Sequence, residues 1–166
     1  MCRAVGAHRP RERVLPHKER PPLKIITLEG NDMPAGVWDG EIKLLYAVDA
    51  GTFFAADTVD SATPFDVIAN VEIGARLNEN VNRQDLFLGV QNVSQGVIKA
   101  STTVGGALAP EVNTDRNEEL RANFAPPGGG WGNDGDVLEV IASYKVTAGV
   151  NTDYSTARSE LFIVTT

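Results

Sequence analysis

The residues that could act in nucleophilic catalysis are confined to one end of the chain. Both histidines, His8 and His17, lie within the first 22 residues. A serine or cysteine nucleophile usually needs a histidine within hydrogen-bond reach. The only cysteine, Cys2, lies in the same segment, so no intramolecular disulfide and no cluster of thiolates can form. These positions exclude a Ser-His-Asp site, a Cys-His site and a histidine-ligated zinc site in the rest of the chain.

Carboxylates are the second group with chemical potential. Two of them could hydrolyse a glycosidic bond, although the spacing in the sequence does not indicate which two would face each other. The clusters "NTDRNEE" (113–119) and "NDGD" (133–136) could supply oxygen ligands to calcium, but neither has the spacing of an EF-hand loop. Asn-Asp-Gly is also typical of tight turns. We therefore predict turns, no metal site and no cofactor.

Aromatic residues beside glycines are the third group. Trp131 lies in "GGGWGNDGDVLEV" (128–140), which leads into a strand rather than a helix and so lacks the features of a phosphate-binding loop. Trp131 could fold down and cap the end of a β-sheet core, which is the favoured interpretation. Alternatively, Trp131 and Tyr154, on another loop, could bind a sugar or a protein, as aromatic rings do at binding hot spots. The same two interpretations apply to Trp38.

Charge divides the chain into two parts. Residues 1–24 hold seven Lys or Arg and two Glu, a net +5, whereas the remaining 142 residues hold eight basic and twenty acidic residues, a net −12. So acidic a body disfavours nucleic-acid binding. Residues 1–22 contain four prolines and no apolar periodicity, which predicts a disordered basic arm that could clasp an acidic neighbouring subunit.

The sequence shows no apolar segment that suggests export or membrane insertion. The N-terminal region has basic residues throughout and lacks the apolar stretch of a signal peptide. No segment approaches the roughly 18 consecutive apolar residues of a membrane span. We expect no membrane partner, and a cytoplasmic or virion-like location.

Apolar runs punctuated by Gly, Pro, Asn and Asp predict strands from residue 23 onward. "PFDVIANVEIG" alternates with period two, and we expect it to form a meander with "DLFLGVQNV" and "GVIKASTTV". "DVLEVIASYKV" predicts a long central strand paired with "RSELFIVTT". The intervening "TAGVNTDYSTA" is predicted to be a polar connection whose tip, near Asn151 to Tyr154, faces solvent.

The remaining segments complete the predicted elements. "LKIITLEG", "EIKLLYAVDA" and "TFFAAD" indicate further strands, whereas "TDRNEELRANF" predicts one or two helical turns with Thr114 as a cap. Seven to nine strands joined by turns predict an all-β fold for residues 23–166: a two-sheet antiparallel sandwich with at most one or two short helical turns.

The order of these strands resembles that of immunoglobulin-like sandwiches. "ATPFDVIANVEIG" resembles the second strand of such domains, "DLFLGVQNV" the third, and "DVLEVIASYKV" with "SELFIV" the last two. The sequence departs from the family because paired cysteines are absent and no tryptophan lies on the third strand. A jelly-roll-like sandwich therefore stays open, and the resemblance implies no particular binding function.

The expected function is that of a non-enzymatic interaction or structural module. Its partner would be a protein, through self-association or contact with neighbours in a larger assembly. The alternative is a carbohydrate- or ligand-binding module that uses loop aromatics, with or without calcium. A carboxylate-dependent hydrolase is the second alternative.

Overall fold

The computed structural model describes residues 36–166. The predicted basic arm and the predicted strand "LKIITLEG" lie outside the described residues. Within them the chain forms nine strands and one helical turn, α1. Their bounds are β1 Gly40–Asp49, β2 Thr58–Asp60, β3 Phe65–Ile73, α1 Ala75–Asn78, β4 Val81–Asn92, β5 Val97–Ala107, β6 Arg116–Phe124, β7 Val137–Ala148, β8 Asn151–Arg158 and β9 Phe162–Thr165.

The strands form two sheets, which confirms the predicted all-β two-sheet sandwich. Sheet A has the order β1-β3-β6, and sheet B has the order β2-β9-β7-β4-β5, with β8 also paired to β7. Every pairing is antiparallel except that of β2 with β9. Within residues 36–166, helix is limited to the four residues of α1, in agreement with the predicted maximum of one or two short helical turns.

Alternating side chains of the two sheets form one hydrophobic core. Every second residue of β7 is buried, because neighbouring residues of a strand point to opposite faces. β3 also contributes alternate residues to this core, although eight of its nine residues are buried. These inward residues are Leu138, Val140, Ala142, Tyr144, Val146 and Ala148 on β7, and Phe65, Val67, Ala69, Val71 and Ile73 on β3. The inward residues of β3, in sheet A, thus pack against those of β7, in sheet B.

Side chains of β8 join the two sheets at the β1 edge. The amide of Gly40 donates to Asp153 Oδ2 over 2.7 Å, and the amide of Ile42 donates to Ser155 Oγ over 3.2 Å. Between β8 and β9, Ser159 Oγ accepts a hydrogen bond of 2.9 Å from the amide of Val140. Two backbone amides at the edge of β1 thus find side-chain acceptors on β8, although no backbone ladder joins the two strands.

The prediction of helical turns in "TDRNEELRANF" is wrong. Residues 116–124 form β6, which pairs with β3 along its whole length. Ala122 and Phe124 are buried and Leu120 packs against the core, so the segment has a period of two. The alternation is hard to recognise in the sequence because the inward position before Leu120 is occupied by the polar Glu118, near the end of an edge strand.

The predicted wide connection with its tip at Asn151 to Tyr154 is also wrong, although Asn151, Thr152 and Tyr154 are exposed as expected. The turn consists of Gly149 and Val150 alone, and Gly149 adopts a φ of 60°. Strand β8 begins at Asn151 and supplies most of the pairing to that edge of β7. The C-terminal segment, predicted as the partner of β7, pairs with it at only two positions, through Phe162 and Ile163. Because the turn takes only two residues, the rest of the predicted connection is free to form the additional strand β8.

Two further predictions of pairing need correction. β4 and β5 pair as expected, but β3 lies in sheet A between β1 and β6, so the three do not form a meander. "TFFAAD" contributes one isolated bridge, from Val48 to Ala55, and the short strand β2 follows it. α1 and the two residues after it carry the chain from one sheet to the other, which is why β3 and β4 separate.

Candidate functional site

Trp131 is a core residue in this structure. Its side chain is fully buried, and its ring meets the ring of Phe65 edge to face at 4.9 Å between centroids. Nε1 donates to the carbonyl of Thr63 over 2.8 Å, and the Trp131 amide donates to the carbonyl of Ser61 over 3.1 Å. The ring therefore has no exposed surface on which a ligand could stack.

Tyr154 lies in β8 rather than on a loop. It is opposite Lys145 of β7, whose neighbours Tyr144 and Val146 point into the core. Tyr154 therefore points away from the core, and its side chain is 63% exposed. The structure does not bring Trp131 and Tyr154 together, because one is inside the sandwich and the other is on the outside of sheet B.

The outer face of sheet B carries a shallow groove with exposed apolar side chains. Phe87 is 45% exposed and Ile98 is 58% exposed, although both lie in strands. The groove has a volume of about 610 Å³. We call this surface the B face; its outward residues include Phe87, Gly89, Ile98, Ser101, Thr103, Ile141, Ser143, Tyr154 and Thr156.

Gly89 forms the floor of this groove. It lies within β4, opposite Ser101 of β5 and Ile141 of β7. A Cβ at this position would meet no atom within 4 Å, and Gly89 does not have a positive φ. Glycine inside a strand costs roughly 0.5–1 kcal/mol relative to alanine. Within the single chain, neither steric crowding nor backbone conformation requires a glycine at position 89. Close approach of another molecule to this surface would require one.

The B face is less acidic than the rest of the described chain. Its outward residues on β4, β7 and β8 include Arg83, Lys145 and Arg158 against Asp85 and Glu139, a net +1. Residues 36–166 hold eight basic and eighteen acidic residues, a net −10, which leaves −11 for the remainder. A contact between two B faces therefore does not bring two strongly acidic surfaces together.

Ion pairs order the charged rim of the B face. Arg158 Nη1 lies 2.6 Å from Glu139 Oε2, and Arg83 Nη2 lies 2.7 Å from Asp85 Oδ1. The hydrogen bonds from Arg83, helped by the charges of Arg83 and Lys145, lower the pKa of Asp85 although burial alone would raise it. Asp85 is therefore ionised at neutral pH, and the rim presents both signs of charge.

A second concave surface lies at one end of the sandwich. It is lined by Trp38, by Arg76, Leu77 and Asn80 around α1, and by residues 148–153 of the β7–β8 hairpin. Its volume is about 610 Å³, within the range of small-molecule sites. We call it the Trp38 cleft. Trp38, predicted as either a cap or a contact residue, is 62% exposed.

The acidic clusters considered as calcium ligands take part in turns and hydrogen bonds. Asp136 accepts hydrogen bonds from the Asn133 amide, Asn92 Nδ2 and Gln95 Nε2, and together these lower its pKa. Asp115 Oδ1 accepts from the Ala75 amide over 2.7 Å. Among residues 36–166, no group of three His, Cys, Asp or Glu side chains is placed to hold a metal ion.

The most enclosed carboxylate in sheet A is Asp66. It accepts hydrogen bonds from Asn123 Nδ2 (2.7 Å), the Gly51 amide (2.9 Å) and Arg121 Nη1 (3.1 Å). Burial alone would raise the pKa of Asp66, but these donors and the charge of Arg121 bring it below the ordinary value. The group holds the loop after β1 against sheet A.

No protein-family model matches this chain, and no curated protein is similar to it in sequence. No helix in the described part of the chain is long and apolar enough to cross a membrane. The assignment of function therefore depends on the B face and the Trp38 cleft.

The sequence contained a signal for the B face. Phe87 and Gly89 stand on the otherwise polar side of "DLFLGVQNV", where a half-buried strand would carry polar residues. Ile141 gives the same signal on the polar side of "DVLEVIASYKV", but only the register of β4 with its two neighbours brings Ile141 and Ile98 into one groove with Phe87. Sequence reasoning therefore missed this surface.

Proposed function

We propose that this chain is a non-enzymatic interaction module that associates with a second copy of itself through the B face. The observation that carries the proposal is the apolar groove over Gly89, on a surface that is less acidic than the rest of the described chain. Glycine is not needed there by the single chain, but it admits the side chains or backbone of a partner.

Self-association is favoured over an unrelated partner because the B face is complementary to itself. An isologous dimer brings the same patch together twice, so the patch must supply both sides of each contact. The centre supplies apolar groups from Phe87 and Ile141, and the rim supplies both cations and anions. Antiparallel stacking can place Arg158 of one copy near Glu139 of the other.

The size of the face sets the expected affinity. Four strands spaced by about 4.8 Å, followed over about eight residues at 3.3 Å each, cover roughly 500 Å². Stable dimers bury about 800 Å² per partner, so we expect a weak dimer with a dissociation constant in the micromolar range or above. Such a contact would suit repeated use within a larger assembly.

The strand order supports an immunoglobulin-like relationship as part of this proposal. The β1-β3-β6 sheet opposes a β5-β4-β7 sheet that is extended by β8 and β9. Fibronectin type III and many cell-surface domains share such a sandwich, and sandwich domains of this kind serve binding functions.

The buried carboxylates support the non-enzymatic part of the proposal. A glycosidase needs one carboxyl group whose pKa is raised so that it can act as an acid. Burial alone would raise both pKa values, but the pKa of Asp66 is lowered by hydrogen bonds from Asn123, Gly51 and Arg121, and that of Asp85 by hydrogen bonds from Arg83. Each is suited to a structural ion pair.

Sedimentation velocity over a wide concentration range tests the proposal. The wild-type protein should show a reversible monomer–dimer equilibrium, and Phe87→Asp should abolish it by burying an unpaired charge. Phe54→Asp is the matched control, because Phe54 is 77% exposed on the loop between β1 and β2 and lies outside the B face. A wild-type protein that stays monomeric at millimolar concentration, or a Phe87→Asp variant that dimerises normally, would refute the proposal.

A further inference from the structure

We propose that the Trp38 cleft binds an uncharged saccharide. The cleft lies at the α1 end of the sandwich and shares no lining residue with the groove of the B face. The inference is therefore independent of dimerisation, and it adds a ligand to the interaction module.

Trp38 is held on a fixed backbone although its side chain is exposed. The amide of Asp39 donates to the carbonyl of Gly36 over 2.8 Å, and the Val37 carbonyl accepts hydrogen bonds from the amides of Arg76 (2.8 Å) and Leu77 (3.1 Å). These bonds tie the turn to α1. An exposed indole on a fixed turn loses little conformational entropy when a ligand stacks on it.

Close packing beneath the turn adds to this rigidity. A Cβ on Gly74 would overlap the backbone of Gly36 and Val37, so only glycine allows the turn to lie this close. The amide of Gly74 also donates to the carbonyl of Asp39 over 2.9 Å. The platform under Trp38 is thus formed before any ligand arrives.

The cleft also offers neutral polar groups. Asn80 and Asn151 line it, and their side chains make no hydrogen bond to any residue in the range 36–166. An amide group both donates and accepts, so these two residues match the hydroxyl groups of a sugar. Leu77 and Val150 add apolar surface that suits the C–H faces of a pyranose ring.

The charges of the cleft already have partners, which indicates an uncharged ligand. Arg76 Nη1 lies 2.8 Å from Glu79 Oε1, and Asp153 Oδ2 accepts a hydrogen bond from the Gly40 amide. The lining therefore carries one compensated charge of each sign, so the cleft has no net charge that would select an anion or a cation. An aromatic platform beside neutral amides favours a saccharide over an ionic ligand.

The two tryptophans provide the assay. Acrylamide should quench Trp38, which is exposed, and spare Trp131, which is fully buried. Cellohexaose, maltohexaose, chitohexaose and mannohexaose are titrated up to about 10 mM, a range that includes millimolar affinities. We expect at least one of them to shift the emission to shorter wavelength and to protect Trp38 from quenching. Hexagalacturonate, which is anionic, should have no effect.

Variants separate binding from folding. Trp38→Ala should weaken binding by about 30-fold, as loss of an aromatic hot spot does, when measured by calorimetry with the best hexasaccharide. Asn151→Leu keeps a similar shape but removes the amide, and it should weaken binding about tenfold with an unchanged melting temperature. Phe54→Ala, which removes an exposed aromatic ring outside the cleft, should bind as the wild type does.

Failure of all four neutral oligosaccharides to protect Trp38 would overturn the inference. Binding that survives Trp38→Ala would do the same, since it would place the sugar elsewhere. Phe87→Asp serves as a further check, because it should leave sugar binding intact. Loss of dimerisation without loss of binding, or the reverse, distinguishes the two proposals.

Discussion

The contrast between the two tryptophans gives the sharpest test of the structure. Trp131→Phe removes the hydrogen bond from Nε1 to the Thr63 carbonyl and shortens the ring that packs against Phe65. Trp38→Phe makes the same chemical change on a side chain that is 62% exposed. The free energy of unfolding should therefore fall strongly in the first variant and hardly at all in the second.

The expected loss for Trp131→Phe can be worked from its surroundings. The lost hydrogen bond is worth about 1 kcal/mol. A void of about 40 Å³ adds about 1 kcal/mol at 24 cal/mol per Å³, and the lost apolar burial adds about 1 kcal/mol. The total of about 3 kcal/mol corresponds to a melting temperature lower by roughly 10 °C. Trp38→Phe should stay within about 0.5 kcal/mol of the wild type.

Urea denaturation followed by far-UV circular dichroism measures both variants without depending on tryptophan emission. Unchanged m-values would show that the comparison concerns stability alone. A loss below about 1 kcal/mol in Trp131→Phe, or equal losses in the two variants, would mean that Trp131 is not the enclosed core residue described above.

The other predictions concern a groove, an acid-sensitive ion pair and a crowded glycine. Gly89→Val should leave the monomer as stable or more stable, because nothing crowds its Cβ, while weakening dimerisation at least about tenfold in sedimentation. Because folding lowers the pKa of Asp66, this carboxylate should stabilise the folded protein fully above about pH 4, and the stabilisation should vanish as the pH falls through the folded pKa. Asp66→Asn should flatten that part of a plot of unfolding free energy against pH, measured by chemical denaturation. Gly105→Ala should cost about 2–3 kcal/mol in thermal unfolding, since φ is 143° and a Cβ would overlap the Gln84 carbonyl.

Matched variants control these experiments. Gly128→Ala places a methyl group where nothing lies within 4 Å, at an exposed position off the B face, so it should change neither dimerisation nor stability. An equal weakening of the dimer by Gly128→Ala would argue against the groove. An acid profile identical in the wild type and Asp66→Asn would show that another carboxyl group governs acid unfolding. Normal melting of Gly105→Ala would mean that the β4–β5 approach is less crowded than described.

Local patterns were enough to identify most strands. The alternation in β3 and β7 is strong because both are central strands whose inward residues are all apolar. The same criterion failed for β6, where Glu118 and other polar residues occupy an edge strand, and helix-forming residues suggested turns. It failed again for β8, because Asp153 and Ser155 point inward to satisfy the β1 edge.

The candidate sites were harder to predict than the strands. Trp131 and Trp38 are both tryptophans near glycines, and the sequence favoured a cap for each. Their surroundings differ because Trp131 reaches Thr63 and Ser61, which are more than 60 residues away, whereas Trp38 lies exposed on a turn that α1 holds through the Val37 carbonyl. Residue type and local spacing carry no information about such distant contacts.

The sequence by itself determined the two-sheet β-architecture and the acidity of the body, because residue alternation and charge are properties of short segments. Only the tertiary structure decided that β3 and β4 belong to opposite sheets, that Gly89 lies beneath a groove and that Trp38, rather than Trp131, faces solvent. The physical reason is that strand pairing and burial depend on which distant segments meet, and many pairings satisfy the same local alternation.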